Sequence, residues 1–229
     1  MTTSTVYRPD SRPDPPPASP APDDRIWYAA YASNMLLARL TCYLAGGRLA
    51  EGDRDHPGSR DRRPPERSVP LLLPGRLHFA LESLVWGGGM GFYDPLDEGE
   101  LPARGYLLRA GQFADIAAQE VRRAPGTDLD LSTVLADGRA ELGAGRYQTL
   151  LCVGAVAGLP VLTFTAPWRT AEAELNPPSA RYLRVLAAGL REAHGWDADR
   201  CARYLSSRPG ASGAWSAAGV RRALGATAD

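Results

Sequence analysis

Six short apolar runs, each bounded by Gly, Pro or polar residues, recur along this chain: "IWYAAY", "LPGRLHFALES", "MGFYD", "ARGYLLR", "RYQTLLCVGAV" and "PVLTFTA". Their lengths and their aromatic and β-branched content are those of strands. Helical spacing appears in four runs, "MLLARLTCYL", "AGQFADIAAQEV", "SARYLRVLAAGLREAHG" and "DADRCARYL". Strands outnumber helices, and the regular strand-helix alternation of a doubly wound sheet is missing. The pattern therefore predicts an α+β fold, a small mixed β-barrel with surrounding helices.

The 229 residues, 44% of them hydrophobic, can bury one sizeable core. Residues 1–24, rich in Pro, Ser and Asp, bury too little apolar surface to offset their ordering entropy and read as a disordered tail. Residues 25–229 read as a single domain. Within it the polar stretch 51–67 is expected to be an exposed loop, and the terminal "GVRRALGATAD" a short helix packed on the barrel.

Acidic and basic residues balance at 26 each, so nothing favours a nucleic acid or an anionic membrane as partner. Every basic residue is arginine. The absence of lysine excludes a Schiff-base lysine and a Walker-type phosphate loop. Cys42, Cys152 and Cys201 are odd in number, far apart and outside metal-ligand spacing, which fits a reduced, cytoplasmic setting. No apolar run is long enough to span a bilayer, and the N-terminus lacks the pattern of a signal peptide.

Candidate chemistry begins at "WYAAYASNM", residues 27–35, where a strand-like run ends in Ser33 and Asn34 ahead of a helix. Both are helix-capping types, worth ~1 kcal/mol as caps. Backbone N–H groups at such a turn also suit an oxyanion or a carboxylate. In "GQFADIAAQEV", Phe113, Ile116, Ala117 and Glu120 fall on one helix face. A carboxylate on that apolar stripe loses water, so its pKa rises towards the range useful for proton shuttling. Alternatively, Glu120 ends the helix and turns to solvent or to Arg122 or Arg123. The glycines of "WGGGMGFYDP" suit either a tight turn or a close backbone approach to a ligand. His56 lies in the polar loop, His78 in a strand, and His194 near a helix end where a cation meets the dipole favourably. None has a partner at metal-binding spacing, which argues against a zinc site. Tyr147, and Tyr182 on the stripe with Val185, Leu186, Gly189 and Leu190, serve either as core or to orient a ligand.

Taken in order, these segments resemble the γ-glutamylcyclotransferase-like family. Tyr31, Ala32, Ser33, Asn34 and Met35 resemble its Tyr-Gly-Ser-Asn-Leu/Met loop, and "WGGGMGFYDP" its Trp-x-Gly-Gly segment. "ARGYLLRAGQFADIAAQE" is similar to its strand and helix ending in Gln-Glu, "GRYQTLL" to its later tyrosine-bearing strand, and "NPPSARYLRVLAAGLREAHGW" to its Pro-Pro-Ser-x-x-Tyr helix. The resemblance covers about residues 26–206. It implies a β-barrel with a cavity at its mouth, Glu120 as general acid/base, and Tyr31, Ala32, Ser33, Asn34, Met35, Gly88 and Tyr147 as substrate-binding residues. The implied reaction is cleavage of a γ-glutamyl amide or peptide by attack of its own α-amino group, releasing 5-oxoproline and a free amine. No cofactor or metal is called for, the implied partner is a small molecule, and the protein is expected to be a monomer or homodimer.

Three departures from the family pattern bear on substrate choice. Ala32 replaces the loop glycine, a longer insertion follows Glu120, and the tail and arginine-rich loop have no counterpart. The same pocket with a different nucleophile would make an amidohydrolase or acyl transferase, and without turnover a small-molecule binding protein.

Overall fold

The computed structural model describes residues 5–12, 18–50 and 54–225. The first apolar run forms β1 (Arg25–Ala30), and α1 (Leu37–Ala45) follows a 3-10 turn at Ser33–Met35. Next come β2 (Arg67–Pro74), β3 (Arg76–Ala80), β4 (Met90–Asp94) and β5 (Glu100–Arg109). Then α2 (Ala110–Glu120) and α3 (Ser132–Asp137) precede β6 (Arg139–Glu141), β7 (Thr149–Val156) and β8 (Leu159–Thr165). Among the described residues three α-helices follow: α4 (Ala180–His194), α5 (Ala198–Ser206) and α6 (Ala217–Gly225).

Six strands form one mixed sheet in the order β2-β5-β1-β8-β7-β6. β1 lies inside it, antiparallel to β5 from Arg25 opposite Arg109 to Ala30 opposite Arg104, and parallel to β8 at Trp27 opposite Val161. Because side chains alternate across a strand, β1 serves two cores. Trp27 and Ala29, followed by Tyr31, meet Leu71 and Leu73 of β2 and Leu183 and Leu186 of α4. Ile26, Tyr28 and Ala30 meet Leu40 and Tyr43 of α1, Phe113 and Ile116 of α2, and Val134 of α3. Burial on both faces explains why the run is apolar without alternation. Each such leucine, isoleucine or phenylalanine contributes ~1.5–3 kcal/mol.

The expected closed barrel is not formed. The sheet is open, and β3 and β4 make a separate two-stranded ribbon. The "LPGRLHFALES" run breaks at Gly75, whose φ of +104° suits glycine and where a Cβ would lie 2.3 Å from the Asp94 carbonyl oxygen. The ribbon docks on β8 through a side chain instead of a ladder: Thr165 Oγ1 accepts from the Tyr93 N–H at 3.0 Å and donates to the Tyr93 carbonyl at 2.8 Å. Both backbone groups of Tyr93 are thereby satisfied, and strand pairing stops there. At the other end Pro70 and Pro74 lie in β2, an edge strand, where a missing N–H is tolerated.

The stretch expected to be a disordered tail falls partly outside the described residues, at 1–4 and 13–17. Its described parts hydrogen-bond to the sheet. Tyr7 donates to the Pro70 carbonyl and accepts from the Leu72 N–H, each at 2.9 Å, and Asp10 exchanges bonds of 2.8 and 3.0 Å with Ala155. The polar loop also differs from expectation; its residues 51–53, like 226–229 of the terminal segment, lie outside the described residues. His56 and Ser59 are buried, with the His56 ring 4.0 Å from that of Tyr43 and Ser59 Oγ donating to the Tyr43 carbonyl. The loop is drawn in because it covers the apolar flank of α1.

Two placements set the geometry of the cavity wall. α2 starts directly after β5, with Gln112 Oε1 accepting from the Arg109 N–H at 3.0 Å, so the helix carries Glu120 along the sheet to the end of β1. α4 is capped by Ser179 and by Gly195 in the left-handed conformation, and it crosses the 33–35 turn at Gly189. There a Cβ would stand 2.9 Å from Met35 Cβ and 3.0 Å from the Leu36 nitrogen. Gly189→Leu should therefore cost about 1–3 kcal/mol by overpacking, despite the ~1 kcal/mol helix-propensity gain over glycine. A urea melt tests this; a midpoint at or above that of the wild type would contradict so close an approach.

Candidate active site

β1 delivers Tyr28 to the side of α1 and α2, then ends, and the chain turns through Ala32. Ala32 has φ −121°, on the negative side open to L residues, so the position does not require the positive φ that favours glycine. Ser33 and Asn34 do not cap α1. The residue before the helix is Leu36, with no side-chain cap bond, because the 3-10 turn intervenes. Freed from capping, the Asn34 amide donates from Nδ2 to Glu120 Oε1 at 2.8 Å and to the Tyr28 hydroxyl at 3.3 Å.

Glu120 ends α2 on the wall of a cavity that Tyr31, Ala32, Ser33, Asn34 and Tyr147 also line. It is only partly exposed. The alternative of a solvent-facing Glu120 does not describe it. Burial pushes its pKa up; the Arg39 guanidinium, hydrogen bonds from Tyr43 and Asn34, and Arg54 pull it back without cancelling the rise. Next to it Gln119 is fully buried, donating from Nε2 to the Tyr43 and Asp115 carbonyls at 3.0 and 3.2 Å, which pins the end of α2 to α1.

The phenols around the carboxylate are kept neutral. Tyr28, Tyr31, Tyr43, Tyr147 and Tyr182 all have raised pKa values, burial being the largest cause in each. Tyr31 donates to the Phe164 carbonyl at 3.0 Å. Tyr147 and Tyr182 grip one residue of the ribbon from two sides: Tyr147 donates to the Gly91 carbonyl at 3.0 Å, and Tyr182 accepts from the Gly91 N–H at 3.2 Å. Tyr147 precedes β7 and has φ +60°, an uncommon conformation for a bulky residue and one that collects at functional sites.

Two expected ligand-binding residues lie elsewhere. Met35 is buried behind the wall, its carbonyl accepting from the Tyr106 hydroxyl at 2.8 Å. Gly88 forms a turn; it has φ +68°, and a Cβ there would fall 2.3 Å from the Pro177 carbonyl oxygen. The neighbouring Trp86 lines the cavity, stacked on Tyr182 at 5.4 Å. Sequence reasoning missed Arg39, Tyr43 and Arg54, all in the wall. A signal existed for the first two: they are four residues apart on α1 and therefore share a face. Of the insertion after Glu120, Arg122 reaches the cavity, while Gly126 and Asp128 are tied back to Asp115 and Arg60.

None of the histidines offers a metal ligand set, and among the described residues no three His, Cys, Asp or Glu side chains converge on a possible metal site. Burial lowers His56 and His78 to about 4 and also lowers His194, which disfavours the helix-end cation expected there. Its Nε2 lies 2.9 Å from the Ala103 carbonyl oxygen. Cys42, Cys152 and Cys201 are free and buried. Among the described residues no helix is long and apolar enough to cross a membrane.

No protein-family model matches the chain. It is 30% identical over 200 residues to histone deacetylase 5 of Arabidopsis thaliana, a match that covers 79% of this chain and 30% of that relative's length. The chain thus spans under a third of the curated relative it matches. Solved structures similar to it include a γ-glutamyl cyclotransferase and an uncharacterized Homo sapiens protein. Each has TM-score 0.48 and 14% identity, over 81% of this chain and 89% of theirs. YkqA from Bacillus subtilis is similar at TM-score 0.39 and 18% identity, over 81% of this chain and 56% of that one.

The raised pKa of Glu120 has a thermodynamic consequence. The folded carboxyl keeps its proton to higher pH than the unfolded one. Its contribution to stability is complete below the ordinary carboxylate value and is lost as pH rises through its own. Glutamine does not titrate, so the stability of Glu120→Gln relative to wild type should increase across that window and level off above it. Denaturant melts at a series of pH values check this; a pH-independent difference would place Glu120 at an ordinary pKa.

Proposed function

We propose that the cavity cleaves a γ-glutamyl amide by intramolecular aminolysis. The observation that carries this reading is a half-buried carboxylate of raised pKa, Glu120, held by Asn34 of the Tyr-Ala-Ser-Asn turn in a wall of neutral phenols. The ordered motif resemblance supports it independently. In this reading Glu120 accepts a proton from the substrate's α-ammonium group. The freed nitrogen attacks the γ-carbonyl carbon, a C–N bond forms, and the carbonyl oxygen becomes an oxyanion facing the Ser33 and Asn34 N–H groups, since that of Met35 is held by the Ala32 carbonyl. As the original amide C–N bond breaks, the leaving nitrogen receives the protons shed by the α-nitrogen, relayed by Glu120. The products are 5-oxoproline and an amine.

Closing a five-membered ring needs orientation and proton transfer more than an added nucleophile. A carboxylate poised by burial against two arginines supplies the proton relay, and Asn34 fixes its rotamer. The neutral tyrosines add no competing charge.

The direct test incubates the protein with a panel of γ-glutamyl amines and measures 5-oxoproline, with Glu120→Gln as the control. The variant should stay folded and lose activity by about 10²–10⁴-fold. Turnover of the variant at the wild-type rate would remove Glu120 from the chemistry. Release of glutamate in place of 5-oxoproline would identify water as the nucleophile.

A further inference from the structure

Arg39 is unusual for a helix residue in a chain whose other arginines are mostly at the surface. It is 4% exposed, and its Nε and Nη1 have no hydrogen-bond partner among the described residues. Its guanidinium carbon lies 5.1 Å from the centre of the Tyr43 ring and 5.4 Å from that of Trp86, and the side chain lines the cavity. Cation-π contacts hold the charge in place, but they do not satisfy its N–H donors. A buried guanidinium with idle donors is costly unless an anion meets it. Glu120 does not occupy that role directly. The Tyr43 hydroxyl stands between the two: it accepts from Arg39 Nη2 at 3.4 Å and is near enough to Glu120 to hold its pKa down.

The wall therefore presents a negative and a positive group separated by one hydroxyl. An α-amino acid head has the opposite arrangement, an ammonium and a carboxylate on the same carbon. The cavity's other arginines differ from Arg39: Arg54 Nη1 donates to the Gln119 carbonyl, Arg146 Nη1 is 3.7 Å from Met90 Sδ, and Arg122 is exposed at the rim. All three are more exposed than Arg39.

We propose that Glu120 and Arg39, joined through Tyr43, form a receptor for a free α-amino-acid head, with Arg39 taking the α-carboxylate while Glu120 faces the α-ammonium. Beyond the free α-amine that cyclisation already requires, the acyl part must keep its α-carboxylate unblocked, so an α-ester or α-amide of the same γ-glutamyl group binds more weakly. This rests on the proposed cavity chemistry for its orientation, but its test does not require turnover.

L-norleucine has the head group and lacks a γ-carbonyl, so it cannot cyclise; L-norleucinamide differs by losing the carboxylate. By calorimetry the wild type should bind the acid about 10- to 100-fold more tightly than the amide, the range expected for a charged hydrogen-bond pair. Arg39→Met should abolish that preference. Arg39→Lys, which keeps the charge and loses the planar fork, should retain part of it, and provides the comparison if the Met variant does not fold. Equal binding of acid and amide by the wild type overturns the inference, as does a preference that survives in both variants. If the preference follows Arg39 while no γ-glutamyl amide yields 5-oxoproline, the receptor stands and the cyclisation reading fails. If 5-oxoproline is released but there is no preference, the converse holds.

Discussion

The hydrogen bond from Asn34 Nδ2 to Glu120 Oε1, 2.8 Å long, joins the turn after the central strand to the end of α2. Everything else at the cavity depends on keeping those two chain segments together. β1 fixes one end, since it is hydrogen-bonded on both edges and buried on both faces. The other end is fixed by α2, which leaves β5 without a linker and is anchored to α1 by the buried Gln119 amide. The reach of α2 matters: eleven residues at ~1.5 Å each bring the last one to the level at which β1 stops.

The parts of this arrangement governed by local spacing were legible in the sequence. The stripe of Phe113, Ile116 and Ala117 faces the core with Glu120 one turn beyond, as the 3.6-residue period requires. Four helices and most strands appear where their patterns predict them, although "LPGRLHFALES" takes in only the last two residues of β2 before breaking at Gly75, and the rest of β2, β6 and α3 were not foreseen. Closure of the sheet was not legible, because it depends on which edges pair. Thr165 stops the pairing by satisfying Tyr93 with a side chain, and no local pattern marks a threonine for that task. The capping role given to Ser33 and Asn34 failed for a similar reason. A 3-10 turn before Leu37 moved them off the helix start and left Asn34 free to reach Glu120.

Arg39 shows the limit from the other side. In "MLLARLTCYL" it reads as the polar face of an amphipathic helix, since an isolated arginine is ordinarily solvated. Only the covering loop, with His56 against Tyr43 and Trp86 brought over from the 81–89 segment, turns that face inward. Those contacts join residues 17 and 47 positions away from Arg39, beyond the reach of helical periodicity. Gly88 and Met35 were misplaced by the same non-local packing. The glycine is consumed by a turn against Pro177 and the methionine by the underside of α4.

The cavity's polar groups are poorly satisfied for so buried a place. Asn34 Oδ1, Gln119 Oε1 and two Arg39 nitrogens have no partner among the described residues. Each such group costs ~1–3 kcal/mol relative to a paired one, so selection for stability alone would favour apolar replacements of similar volume. Unpartnered atoms also occur away from the cavity, at His78, Thr149, Trp168 and Tyr204, but those of Asn34, Gln119 and Arg39 are grouped. Asn34 and Arg39 face the cavity, Gln119 adjoins Glu120, and the strained Tyr147 at φ +60° stands in the same wall. A cluster of unsatisfied donors and acceptors around one titratable carboxylate is what binding a small polar ligand requires, since groups already paired internally would have to break those bonds before meeting it.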